Sequence, residues 1–411
     1  MGCKLNYSET SALARSLEKE GFVRKDFDEI ADVYVINTCS VTDNADKECR
    51  HLVRRIQRKA PQSMVVVTGC YAQLKPEEIA SIEGVDLVLG AAEKFNISRH
   101  LKDLTKNDTA KICSCDIDEI NDFNASFSLN DRTRSFLKVQ DGCDYNCSFC
   151  TIPMARGKSR SDAIASVVEN VKELAGSGIK EIVLTGVNLG DFGTKNGKKT
   201  HEDFYSLVQT LEDTEGAERY RISSIEPNLL SNEIIEFVAR SKKFMPHFHI
   251  PLQSGSNKVL GSMRRRYKKE LYAEKVHLIK ELIPHCCIGV DVIVGFPGET
   301  DDDFADTYNF LGSLDISYLH VFTYSERDNT HALDLSPVVP VAVRNARNKA
   351  LRRLSYQKMQ DFTLKHAGQT RKILFEQRNK NNMMEGYTDN YIKITSPYRE
   401  EWTNTILDWK I

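Results

Sequence analysis

Residues 140–150 read QDGCDYNCSFC and carry the cysteine pattern that decides the fold. Cys143, Cys147 and Cys150 come shortly after residues 136–139 (FLKV), which are predicted to form a strand. Thiolates are the usual ligands of iron–sulfur clusters, and four are needed to close a cubane. A zinc site normally has a fourth Cys or His at paired spacing, and none follows locally. Buried structural cysteines are the other alternative. The C-x3-C-x2-C spacing therefore predicts a [4Fe–4S] cluster with one open iron, which can chelate S-adenosylmethionine (SAM) and pass one electron into its sulfonium.

The chain that follows this loop alternates strand and helix patterns. Strands are predicted at 136–139, 182–185, 220–223, 247–251, 288–294 and 320–323, with helices such as 164–177, 231–241 and 270–282 between them. Six β/α units indicate a full or partial barrel, whose sites lie at the carboxyl ends of the strands.

The regions on either side of this barrel have different patterns. Strands at 31–37, 64–68 and 85–89 alternate with helices at 8–20, 42–60 and 76–82, which predicts an α/β domain with a parallel sheet. Residues 93–130 read as a connection. A basic helix at 341–367 precedes short strands at 372–377, 383–388 and 391–394, which are typical of a small β-barrel. We therefore predict three domains, at residues 1–125, 126–366 and 367–411.

Composition excludes several classes of protein. The 411 residues are 41% hydrophobic and 28% charged with a net charge of −2, as in a globular chain. No apolar run is long enough to span a membrane, and no secretory signal is present, so we expect a cytoplasmic protein without a membrane partner. In that compartment the eleven cysteines favour metal or catalytic use over disulfides.

Cys3, Cys39 and Cys70 form a second candidate set. Cys39 and Cys70 each follow a predicted strand, and parallel strands end at the same edge of a sheet. Scattered cysteines are more often buried small hydrophobes than ligands, so position alone leaves both interpretations open.

With these residues in view, the chain resembles the radical SAM methylthiotransferase family along nearly its whole length. The motifs that carry the resemblance are GCKLN (2–6), NTCSVT (37–42), TGCYAQ (68–73), QDGCDYNCSFCTIP (140–153), LTGVNLGDFG (184–193), SSIEP (223–227), HIPLQSGSNKVLGSMRRRY (249–267), DVIVGFPGET (291–300) and FTYSERDNT (322–330). The tail, with EGYTDNY (385–391), resembles a TRAM module.

The resemblance implies a two-cluster enzyme. Cys3, Cys39 and Cys70 would hold an auxiliary [4Fe–4S] cluster that carries the sulfur, and an aromatic C–H would be replaced by C–S–CH3. One SAM would donate its methyl group, and a second would be cleaved at the other cluster to a 5′-deoxyadenosyl radical, because an unactivated C–H bond needs such chemistry. An external one-electron reductant and a sulfur donor are implied as partners.

Candidates for the SAM pocket lie at the predicted strand ends. They are Gly186, Asn188, Glu226, Gln253, Ser254, Arg265 and Asp291. A structural turn is the alternative for Gly186, and Asp291 interrupts an apolar strand, which is costly without a partner.

Short motif differences indicate the substrate branch. GCKxN and NTCSVT resemble the branch acting on N6-threonylcarbamoyl-adenosine in tRNA, just 3′ of the anticodon. The isopentenyl-adenosine branch usually reads GCQMN with Arg after the second cysteine, where Val41 and Thr42 differ, and the ribosomal-protein branch has Lys where Leu5 stands. The family normally has a strand before GCKxN, whereas only Met1 precedes Gly2.

Basic segments indicate contact with RNA, because phosphate neutralisation needs Lys and Arg on one surface. Residues 344–372 contain nine Lys or Arg against one acid, and 47–59 and 264–269 are also basic. Our candidates are Arg54, Arg55, Arg58, Arg352 and Arg353, with Tyr387 for base stacking. A charge run is more often a solvated helix face. A non-catalytic iron–sulfur RNA-binding protein is the alternative of a different class.

Overall fold

A computed structural model describes residues 2–40, 43–102, 105–106, 109–129, 132–195, 197–378 and 381–411. Met1, Val41 and Thr42, which the motif comparison used, lie outside the described residues. None of the described helices is both long and apolar enough to cross a bilayer.

The amino-terminal part is built on a parallel sheet of order β1–β2–β3–β4. Val65, Val66 and Val67 of β2 are completely buried, because helices cover the sheet and leave a continuous apolar strand. The strands are β1 (Val33–Thr38), β2 (Met64–Gly69), β3 (Leu87–Leu89) and β4 (Lys111–Cys113), and the helices are α1 (Lys4–Lys19), α2 (Asp43–Lys59), α3 (Cys70–Leu74), α4 (Pro76–Ala80) and α5 (Ile97–Leu101).

The central part is a partial barrel of six parallel strands. Sheets of order β5–β6–β9–β12, in which the edge strand β5 runs antiparallel to β6, and β13–β14–β15 adjoin through bridges between Tyr220 and Phe244 and between Ser224 and His249. The strands are β5 (Ser126–Phe127), β6 (Ser135–Lys138), β7 (Gln140–Asp141), β8 (Arg160–Ser161), β9 (Glu181–Thr185), β10 (Thr194–Lys195), β11 (Lys198–Lys199), β12 (Arg219–Ile222), β13 (His247–His249), β14 (Cys287–Val294) and β15 (Tyr318–Thr323). The helices are α6 (Ile152–Arg156), α7 (Ile164–Gly176), α8 (Phe204–Asp213), α9 (Asn232–Arg240), α10 (Asn257–Ser262), α11 (Lys269–Leu282), α12 (Asp301–Ser313) and α13 (Val341–Lys365).

Helix α1 packs against the β5–β6 edge of this barrel. The ring of Tyr7 meets that of Phe136 edge-on at 5.6 Å, and the Ser8 hydroxyl lies 3.2 Å from that of Ser126. The helix therefore belongs to the amino-terminal part in sequence but also contacts the barrel.

The carboxyl-terminal part is an antiparallel sheet of order β18–β17–β16–β19, formed by β16 (Thr370–Arg378), β17 (Met383–Thr388), β18 (Lys393–Pro397) and β19 (Ile406–Lys410). It docks on the barrel through Arg221, which donates to the carbonyl oxygens of Thr388 at 2.7 Å and Asp389 at 2.9 Å.

The predicted α/β fold class, with a parallel sheet, a partial barrel and an all-β tail, is confirmed. Several details differ from the predictions. Helix α1 begins at Lys4 rather than Ser8, because Leu5 and Asn6 are buried and extend its inner face. Strands β4 and β19 were not predicted, nor were the two-residue strands β5, β7, β8, β10 and β11. β4 has only three residues, none fully buried, so its pattern carries little apolar signal and pairing with β3 decides its conformation.

Candidate functional site

Cys39 and Cys70 lie side by side at the carboxyl edge of the amino-terminal sheet. They directly follow Thr38 and Gly69, which are paired residues at the ends of β1 and β2. Gly69 has φ of 101°, and a Cβ there would lie 2.3 Å from the Thr38 carbonyl oxygen. Only glycine permits this approach of the two strand ends.

Cys3 joins this pair from the start of α1. A Cβ on Gly2 would lie 2.8 Å from the Cβ of Cys39, so the Gly2–Cys3 turn packs directly on that cysteine. Asn6 Nδ2 donates to the Thr38 carbonyl oxygen at 2.7 Å and holds the helix on the strand end. The structure thus brings together three cysteines that are far apart in sequence.

The second set occupies the loop after β7. The backbone N–H of Cys150 donates to the carbonyl oxygen of Cys147 at 3.1 Å, and that of Tyr145 donates to Cys143 Sγ at 3.4 Å. Burial raises the pKa of all three thiols, that of Cys150 to about 12. Deprotonated thiolates therefore need a positive charge beside them at this site.

A hydrogen-bond chain connects this loop with the ends of the neighbouring strands. Arg265 Nη1 donates to Cys147 Sγ at 3.1 Å, and the same guanidinium pairs with Glu226. Asn188 Oδ1 accepts from the backbone N–H of Glu226 at 3.3 Å, and the N–H of Asn188 donates to Gln140 Oε1 at 2.9 Å. Burial raises the pKa of Glu226, although Arg265 opposes this.

A cavity of about 200 Å³ opens beside Cys150. Gln253 and Asp291 line it together with Phe149, whose ring meets that of Phe296 edge-on at 6.3 Å. Gln253 has φ of 69°, a conformation that few non-glycine residues adopt. Asp291 is half-buried and has a partner, since His249 Nε2 lies 2.7 Å from Oδ1.

Two of the predicted SAM contacts also have partners within the protein. Ser254 is completely buried, with its hydroxyl 3.3 Å from that of Thr307. A Cβ on Gly186 would lie 2.8 Å from Gln140 Oε1, so glycine at this position makes room for that side chain.

A buried ionic network lies between the two cysteine sets. Glu9 of α1 pairs with Lys94 at 2.7 Å, Arg156 at 3.0 Å and Lys138 at 3.2 Å. Arg156 also pairs with Asp141 at 2.9 Å. Asp141 Oδ1 in turn accepts a hydrogen bond from the backbone N–H of Gly142, the residue before Cys143. The network therefore connects the helix that follows Cys3 to the loop that bears the second set.

Sequence reasoning missed this network because its members are separated by up to 147 positions. The sequence offered one sign of the network: Glu9 is an acidic residue on the inner face of helix α1.

The candidate RNA contacts fall into two groups. Arg54, Arg55 and Arg58 are exposed on α2, and Arg352 and Arg353 are exposed on α13. Tyr387 instead stacks on Tyr391 at 4.8 Å and faces Arg134 at 4.4 Å, inside a cavity.

Some of the basic side chains of α13 are buried inside the protein. Arg344 and Arg347 are buried and pair with Glu326 and Glu299. Fewer of its basic side chains are therefore available to a polyanion than the sequence suggested.

Known proteins share both halves of this arrangement. Residues 1–90 match Uncharacterized protein family UPF0004, and residues 137–311 match the Radical SAM superfamily. The chain is 40% identical to the threonylcarbamoyladenosine tRNA methylthiotransferase MtaB of Bacillus subtilis, over 100% of this chain and 92% of that protein. It is 39% identical to the protein of the same name from Aquifex aeolicus, over 96% and 94%. The chain belongs to the radical SAM methylthiotransferase family.

The fold has a more distant likeness among solved structures. The radical S-adenosylmethionine methyltransferase TsrM of Kitasatospora setae, with tryptophan substrate and a SAM analog bound, matches with a TM-score of 0.56 and 17% identity. The match covers 77% of this chain and 70% of that one. At this identity the match supports the assignment of the fold and nothing about function.

The cofactors of methylthiotransferases are SAM and [4Fe–4S] clusters, and the donor sets here fit them. Burial raises the pKa of Cys70, as it does for the loop thiols. Coordination to iron supplies the positive charge that buried thiolates require.

Proposed function

We propose that this protein adds a methylthio group to C2 of N6-threonylcarbamoyl-adenosine next to the anticodon of tRNA. The observation that carries the proposal is the full-length similarity to methylthiotransferases of that name. The convergence of Cys3, Cys39 and Cys70 at one sheet edge supports it, because a second cluster is what this reaction adds to SAM cleavage.

Each cysteine set has one role in this proposal. Cys143, Cys147 and Cys150 hold the cluster that binds SAM, and the set at the sheet edge holds the auxiliary cluster. The bound cofactors supply the radical, the sulfur and the methyl group, whereas the protein positions them and excludes water.

The other side chains orient SAM. Arg265 holds Cys147 by its hydrogen bond and stays in place through its pair with Glu226. Asn188 fixes the backbone at Glu226, and Gly186 admits the Gln140 side chain that supports Asn188.

The cavity beside Cys150 completes the SAM site in this proposal. Gln253 and Asp291 present polar groups to it. Ser254 supports the turn at Gln253 from behind, and the Phe149 ring, which packs on the buried Phe296, gives the site an apolar wall that excludes water.

The partners follow from the same assignment. The exposed arginines of α2 and α13 attract the tRNA backbone, and Tyr387 takes part from inside its cavity. The carboxyl-terminal sheet acts as a TRAM-like RNA-binding module from residue 367, after an amino-terminal domain of residues 1–125 and a barrel of residues 126–366. A one-electron reductant and a sulfur donor act with the protein in the cytoplasm.

The test is mass spectrometry of tRNA nucleosides from cells that lack the gene. Loss of methylthio-threonylcarbamoyl-adenosine, with return on complementation by the wild type but not by Cys3→Ala or Cys147→Ala, is the expected result. Persistence of the nucleoside in cells without a second such enzyme would refute the proposal.

A further inference from the structure

A second cavity, of about 290 Å³, lies where α1, the barrel and the carboxyl-terminal sheet meet. Its lining includes Cys3 and Lys4 of the first domain, Arg134 and Arg221 of the barrel, and Tyr387 of the tail. The volume is close to the lower end of the range of ligand pockets, about 300–1,000 Å³. Because Cys3 lines it, an occupant would lie beside the auxiliary cysteine set.

The lining of this cavity is strongly cationic. It includes Lys4, Arg132, Arg134 and Arg221, and no carboxylate is among the lining residues that the structure describes. Such a lining suits an anionic group.

Two of these cations already have partners. Arg221 pairs with Glu181 at 2.7 Å, and Arg134 pairs with Glu376 at 2.6 Å. These charges are compensated from outside the cavity, so they shape its walls more than they bind an occupant.

Lys4 differs from them. Within the described part of the chain its ammonium forms no hydrogen bond or ion pair, although it lines the cavity. The carboxylate of Asp291 attracts the Lys4 ammonium from a distance, but its direct partner is His249 at 2.7 Å. The ammonium is therefore free to bind an anion inside the cavity.

Aromatic rings form the remaining walls. Tyr387 stacks on Tyr391 at 4.8 Å, and the ring of Tyr7 lies edge-on to Phe136 at 5.6 Å. Arg134 also lies over the Tyr387 ring at 4.4 Å, so this part of the wall offers a nucleobase both aromatic and cationic contact. The cavity thus combines aromatic walls with Lys4 and Arg132, which have no carboxylate partner among the described residues, and of these Arg132 lies over the Tyr7 ring at 4.6 Å.

We propose that this cavity receives the modified adenine and that Lys4 Nζ binds the carboxylate of its threonyl group. The inference rests on the proposed function, because it names what distinguishes that substrate within the same site. An adenosine with an apolar N6 substituent leaves the Lys4 ammonium unpaired and is rejected, since a site built for a polar group discriminates strongly against analogues that lack it.

The test measures binding of anticodon stem-loop RNA to the anaerobically reconstituted full-length protein. Three RNAs are compared: the first carries threonylcarbamoyl-adenosine, the second its methyl ester and the third isopentenyl-adenosine. The wild type should bind the first about 10- to 100-fold more tightly than the other two, as expected for one hydrogen bond to a charged group. Lys4→Met should bind all three RNAs equally, because only the RNA with the free carboxylate should lose affinity. Lys4→Arg should keep most of the preference for that RNA.

The matched control is Lys19→Met, which removes an exposed lysine from the last turn of the same helix and should change nothing. Iron content of every variant shows whether the neighbouring cysteine set still assembles. If the wild type binds the methyl ester as tightly as the free acid, the role of Lys4 is refuted without any variant.

Product analysis separates the two proposals. If the wild type methylthiolates the threonylcarbamoyl RNA but Lys4→Met weakens all three RNAs alike, the assignment of Lys4 is wrong and the proposed function stands. If the wild type neither binds nor modifies that RNA, both are wrong.

Discussion

Replacing Glu9 with glutamine removes one negative charge from the network between the two cysteine sets. The side chain is 2% exposed, and its partners Lys94, Lys138 and Arg156 are 6%, 1% and 5% exposed. Asp141 would then be the remaining carboxylate facing these cations within the network. Breaking a buried ion pair by removing one partner costs about 3–5 kcal/mol, because the other charge stays buried without compensation.

Anaerobic thermal unfolding measures this cost. At about 2–4 °C per kcal/mol, the apparent Tm of Glu9→Gln should fall by roughly 6 °C or more. The control is Glu169→Gln, which breaks a pair with Lys172 on the surface of α7, where the glutamate side chain is 75% exposed. Exposed pairs contribute at most about 1 kcal/mol, so this variant should melt close to the wild type. Equal Tm values for Glu9→Gln and Glu169→Gln would refute the reasoning.

The same charge predicts a pH dependence. Burial alone would raise the pKa of Glu9, but Arg156, Lys94 and Lys138 hold it well below its usual range. Its stabilising contribution is therefore fully present above the pKa of an unfolded glutamate, about 4.3, and is lost as the pH falls further. The stability difference between wild type and Glu9→Gln should shrink below about pH 4. A difference that stays constant into acid would contradict this account.

Three further predictions concern the clusters, SAM and tRNA. Cys3→Ala should lower the iron content from about eight to about four per chain, whereas Cys49→Ala, at a fully buried core position, should leave it unchanged; equal iron in both variants would contradict the assignment. Glu226→Gln removes the charged partner of the arginine that bonds Cys147, so SAM affinity in equilibrium dialysis should fall about tenfold; unchanged affinity would count against this role. Arg54→Ala should reduce the salt dependence of tRNA binding by about one phosphate contact, whereas Arg240→Ala, exposed on α9, should not; identical salt slopes would remove α2 from the interface.

Local patterns were enough for most of the architecture. Strand β2, predicted at 64–68, extends over Met64–Gly69, because a run of β-branched residues between polar segments has few other conformations. The barrel strands were predicted for the same reason. Short strands such as β4 were not predicted. Pairing with β3, rather than its own sequence, stabilises β4.

The candidate site divides in the same way. The loop with Cys143, Cys147 and Cys150 was readable because its three thiols lie within eight positions and need only one turn to converge. The convergence of Cys39 with Cys70 followed from the rule that parallel strands end at one edge. The local pattern did not show that the Ser254 hydroxyl lies against that of Thr307, because the two residues are 53 positions apart.

The sequence by itself determined the cysteine sets, the order of strands and helices and the family, because ligand spacing and periodicity are local. Only the tertiary structure decided which charges meet. Glu9 and Arg156 are 147 positions apart, and Lys4 reaches the cavity that Tyr387 closes from the tail. Burial selects such partners, since a charge removed from water must find its counterpart wherever the packed chain brings one.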